Sequence, residues 1–183
     1  MAETVVANLN IKLTNKHITY VIYFLLIAGV IGIWIWEIKS FNELLNNLFI
    51  WEERYEVPNI IYGLQLSNLF TASIVSMVLI VGICLRNKTG WVLITSWFYF
   101  FLINFSRSLI KDGVPDTSIE FQLLLLFLVP FGFIILMNKF NGIKIYHGIE
   151  NNNRIKLNLF AIGTGIILVG FLILKKNLLQ HWL

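Results

Sequence analysis

Apolar residues along the chain collect into five long runs, at about residues 18–36, 67–85, 91–109, 120–137 and 157–174, with polar segments between them. Each run reaches or nearly reaches the ~20 residues that carry a helix across a hydrocarbon core of about 30 Å. The turn Arg86-Asn87-Lys88-Thr89-Gly90 is short enough to make the second and third runs antiparallel neighbours. The break Asp112-Gly113-Val114-Pro115-Asp116 makes a hairpin of the third and fourth, with Thr117 and Glu120 spaced as a capping box for the returning helix. The first run follows Lys12, Lys16 and His17 and closes on Trp34-Ile35-Trp36, aromatics suited to the headgroup level. It is longer than the apolar part of a signal peptide, which predicts an uncleaved first transmembrane helix.

The polar segments carry their own pattern. Ser40 and Glu43 fit a capping box, and Phe41, Leu44, Leu45, Leu48 and Phe49 follow at helical spacing. The spacing predicts a short amphipathic helix over about 41–51, lying at the membrane interface, before Val57-Pro58-Asn59 breaks the chain. Asn141-Gly142 within 138–156 is a turn signal, compatible with a small hairpin or a loose loop. The fold class that follows is all-α: one polytopic membrane domain of five transmembrane helices with one interfacial amphipathic helix.

Composition agrees with this picture. The 183 residues are 57% hydrophobic and 13% charged, where a soluble domain carries about a quarter charged. The lipid bilayer is therefore the first partner. The net charge of +4 does not point to nucleic acid, because the basic residues lie in short segments between apolar runs. Lys12, Lys16, Arg86, Lys88, Lys139, Lys144, Arg154 and Lys156 fall on the N-terminal side of the membrane, and Lys39, Arg54, Arg107, Lys111, Lys175 and Lys176 on the other. This bias predicts a cytoplasmic N-terminus and an external C-terminus.

The chemistry left to such a chain is limited. The middle of every run is free of charge, removing the usual mark of an intramembrane proton relay or ion path. His17, His147 and His181 lie outside the runs, and no zinc or nucleophile-elbow motif occurs. Cys84 is the single cysteine, so no Cys-x-x-Cys pair exists. The expectation is a protein that is not an enzyme, with no cofactor and no metal.

Small residues at i, i+4 favour close helix packing instead: Ala28 with Gly32, Ala72 with Ser76, and Ala161 with Gly165. Asn104, Arg107 and Lys111 share a helix face, and about 24 Å of rise from Trp91 puts Arg107 at the far interface. With Glu120 they form a candidate docking cluster at the outer mouth. Pro130 is a candidate kink. The aromatics Trp97 to Phe101 point all round their helix and offer no single cofactor face. Two functions are expected from this inventory. The first is an accessory, regulatory or immunity-type subunit working by helix contacts with another membrane protein or with itself. The second is an oligomeric pore or small-solute channel lined by Thr95, Ser96, Tyr99, Ser73 and Ser76.

Overall fold

A computed structural model describes residues 2–49, 56–67, 69–112 and 120–182. Helices occupy nearly all of them, in the order α1 (Ala2–Leu48), α2 (Val57–Leu66), α3 (Leu69–Cys84), α4 (Lys88–Asp112), α5 (Glu120–Lys139), α6 (Asn141–His147), a 3₁₀ turn (Asn151–Asn153) and α7 (Arg154–Trp182). Among the described residues, three stretches are long and apolar enough to cross a membrane: Asn15–Leu48, Lys88–Arg107 and Asn151–Lys175. The pair Phe127–Lys139 and Asn141–His147, bent by 68°, adds a fourth if it counts as one crossing. Helical backbone satisfies its own polar groups, which is what makes such crossings tolerable in lipid.

The central element is α4. It packs against α3, α5 and α7, while α1 lies outside it on α3 and α6. This explains the aromatic run that points in every direction: Trp91, Ile94, Thr95 and Ser96 are fully buried, and Phe98 and Phe100 nearly so. Phe98 stacks on Phe133 of α5 with ring centres 4.8 Å apart, and Trp91 Nε1–H donates to the Met137 carbonyl over 3.1 Å.

Glycine decides two of the close approaches. A Cβ on Gly165 of α7 would stand 3.0 Å from Tyr99 Cβ and 3.1 Å from the Phe100 nitrogen, so α7 lies directly on the α4 backbone. Where α3 turns into α4, a Cβ on Gly90 would come within 2.6 Å of the Gly82 carbonyl oxygen.

Several sequence expectations change. Residues 41–48 do not start a separate interfacial helix; α1 runs through them without a break. No Gly or Pro falls between Gly32 and Pro58 to interrupt it, and Lys39 pairs with Glu43 one turn on, at 3.8 Å. The apolar stripe faces protein in part: Leu45 is buried, and it and Phe41 lie closest to Gly63 of α2, while Leu48 is exposed. Trp51 lies outside the described residues. Neither the hairpin nor the loose loop describes 138–156, which contains α6 instead, closed by Gly148 in the left-handed region at φ 63°. Pro130 sits inside a helix that continues past it, and the sharp bend comes at Phe140, whose backbone is extended. The turn of 113–119 lies outside the described residues.

Candidate functional site

On the side of the bundle a cleft of about 610 Å³ opens between α1, α3, α4 and α7. Its α1 wall is made by Gly29, Gly32 and Trp36, and its α3 wall by Ala72, Val75 and Ser76. A Cβ on Gly29 or Gly32 would meet nothing within 4 Å, so this part of α1 is unfilled by the chain's own side chains. Glu37, Thr71, Ser76 and Asn104 supply polar groups of the cleft. Beside them, the Lys175 ammonium donates to the Ser67 carbonyl at 3.1 Å and to Thr71 Oγ1 at 3.3 Å, strapping α7 to the start of α3. Volume and lining suit an apolar guest fixed by a few polar groups. No histidine or cysteine lines the cleft, and no group of three metal-ligating side chains occurs among the described residues.

The opposite end of the bundle holds a second group of polar side chains. His147 of α6 is fully buried. Its Nδ1–H donates to the Asn87 carbonyl at 3.0 Å, which leaves Nε2 free to accept the Tyr23 hydroxyl proton at 2.6 Å. Burial pushes the His147 pKa down, outweighing the Asn87 and Leu85 carbonyls, which favour the charged ring. Close by, Asn158 Nδ2–H donates to Asn138 Oδ1 at 2.7 Å, and Asn138 Nδ2–H returns to Asn158 Oδ1 at 3.2 Å. Tyr99 donates to the same Asn158 oxygen at 3.3 Å. The arrangement binds α1, α6 and the α3–α4 turn into one unit, and α4, α5 and α7 into another.

The residues singled out from sequence scatter over these regions. Asn104 faces the cleft, whereas Arg107 lines a separate hollow of about 660 Å³ with Ile103, Ile110 and Phe127. The side chains of Lys111 and Glu120 lie outside the described residues. Thr95 and Ser96 are fully buried and donate to the Trp91 and Leu93 carbonyls of their own helix, while Ser73 donates to Leu69. Ser76 reaches the cleft, and Tyr99 serves the asparagine pair. Among the small residues, Ala161 and Gly165 pack tightly, whereas Ala28 and Gly32 are exposed.

Sequence reading missed Tyr23, His147, Asn138 and Asn158. The available signal was position: Asn138 directly follows one apolar run and Asn158 is the second residue of another, at the depth where an amide needs a protein partner. No protein-family model matches the sequence, and no curated protein and no solved structure matches the chain.

Proposed function

We propose that this chain is a non-enzymatic membrane subunit, of accessory, regulatory or immunity type, that recognises a helix of another membrane protein through the side cleft. On this reading it crosses the bilayer five times, by α1, α3, α4, α5 and α7, with α6 at the cytoplasmic interface. The N-terminus is cytoplasmic and the C-terminus external. Support for that orientation comes from the end of the bundle marked by His147, where Lys16, Arg86, Lys88, Lys139, Lys144, Arg154 and Lys156 belong to segments packed together.

The observation that carries the proposal is the unfilled notch at Gly29 and Gly32. Small residues facing outward on a membrane helix let a second backbone approach closely, and association in lipid depends on such packing. Trp36, Glu37 and Asn104 at the same cleft supply anchoring and register. The pore reading has less support, because the hydroxyls of Thr95, Ser96 and Ser73 are already spent on their own helices.

A photo-crosslinking residue placed at Gly29 in the native host tests the proposal. A discrete protein adduct, lost when Gly32 is replaced by Leu, is the expected result. Adducts to lipid alone overturn it. Dye release from liposomes bearing the purified chain at high density would instead favour the pore.

A further inference from the structure

A second hollow lies between the C-terminal end of α5 and the first turns of α7, with a volume of about 340 Å³. We propose that it binds the phosphate of an anionic phospholipid headgroup. Two cations border it, Lys139 and Arg154, and no carboxylate lines it. The nearest acidic residue in sequence, Glu150, is paired with Lys88 at 3.8 Å. Arg154 donates one N–H to the Asn138 carbonyl at 3.4 Å, which orients the guanidinium and leaves its other donors available.

The inner wall is polar and held in place. Asn138 and Asn158 bond to each other reciprocally, and Asn158 Nδ2–H also reaches the Arg154 carbonyl at 3.1 Å. Each amide is thus fixed, and Lys139 and Arg154 stand on a rigid base. Ile155 and Leu159 complete the hollow and are 74% and 64% exposed; Phe160, at 69%, continues the apolar surface along α7. A paired cation site directly above an exposed apolar strip matches a molecule with a phosphate at one end and an acyl chain at the other. A free anion would use only the upper half. Basic hollows between helices at a membrane face are suited to such headgroups. The inference rests on membrane insertion and not on the partner proposed for the side cleft.

The purified full-length chain in neutral detergent, titrated with phosphatidylglycerol or phosphatidylcholine and followed by native mass spectrometry, provides the test. Phosphatidylglycerol is expected to bind more tightly. The double variant Lys139→Gln, Arg154→Gln should weaken it about thirtyfold, from two surface cations acting together. Lys16→Gln with Lys144→Gln removes the same charge elsewhere on that end and should leave binding within about twofold. Ile155→Gln keeps both cations and the charge of the hollow and should also weaken binding, by making the acyl strip polar. Equal losses in the two double variants, no preference for phosphatidylglycerol, or displacement of the lipid by excess inorganic phosphate would each overturn the assignment.

Discussion

The Tyr23 hydroxyl and His147 Nε2 stand 2.6 Å apart, joining helices separated by 124 residues. Truncating Tyr23 to Phe keeps the ring and its edge contact with Tyr146, at 5.3 Å between centres, but removes the donor. The buried imidazole nitrogen is then unsatisfied, and a loss of about 1–3 kcal/mol in unfolding free energy is expected. Denaturation of the variant in mixed micelles measures it.

The same pair sets a pH dependence. Burial holds His147 below its ordinary pKa, so the folded state keeps the ring neutral while the unfolded state takes up a proton near pH 6.5. The stabilisation is complete above that pH and is lost as pH falls through the folded-state value. His147→Gln cannot titrate, so its deficit against the wild type should be largest near neutrality and shrink as the pH is lowered. A gap that widened in acid would contradict the neutral assignment.

Glycine substitutions should separate filled from unfilled faces. Gly165→Leu drives a side chain into the backbone of α4, and overpacking of this kind costs about 1–3 kcal/mol or more. Gly163→Leu on the same helix meets no atom within 4 Å of its Cβ and should leave thermal stability unchanged or improved. Melting temperatures of the two variants, compared in one detergent, decide the point.

Trp91 and Trp97 make a similar contrast. Both are buried in α4, but only Trp91 finds an acceptor; Trp97 Nε1 has no partner among the described residues. Phe at position 91 orphans the Met137 carbonyl and loses a large part of the ring, whereas Phe at 97 loses ring volume alone. The first should be the more destabilising by about 1 kcal/mol.

The reciprocal amides of Asn138 and Asn158 are open to a double-mutant cycle. Alanine at each site and at both should give a coupling of about 0.6–1.7 kcal/mol, the range of hydrogen bonds between membrane helices. A coupling near zero would mean that each amide acts through its own helix only.

Long apolar stretches were readable because hydropathy is a local property. Residues 91–109 and 157–174 lie within α4 and α7, and the turn expected at 86–90 falls at the α3–α4 junction, with Lys88, Thr89 and Gly90 already in α4. The central position of α4 was not readable, because in lipid a helix apolar all round can face acyl chains as well as protein, and only the packing of α3, α5 and α7 around it sets α4 apart. The misreading at Ser40 has a simple cause: a capping box describes a local hydrogen-bond option, which a helix already under way has no need to take. His147 looked like a loop residue because α6 has seven residues and its burial depends on Tyr23 and Asn87, far away in sequence. The polar hollow at Lys139 and Arg154 was hidden for the same reason. Each residue alone reads as an interfacial cation, and only the meeting of α5 with α7 makes them a pair.

The shortness of α3 has a mechanical consequence. Its 16 residues rise about 24 Å, less than the roughly 30 Å of an average hydrocarbon core. With α3 as a span, the surrounding lipid has to thin at the face presenting Met77 and Val81, both exposed. A bilayer already thin relieves that strain, and a thick one concentrates it along the wall of the side cleft. Membrane thickness would therefore act as a sorting signal for the chain, and a second protein seated against α3 would shield the mismatch from lipid.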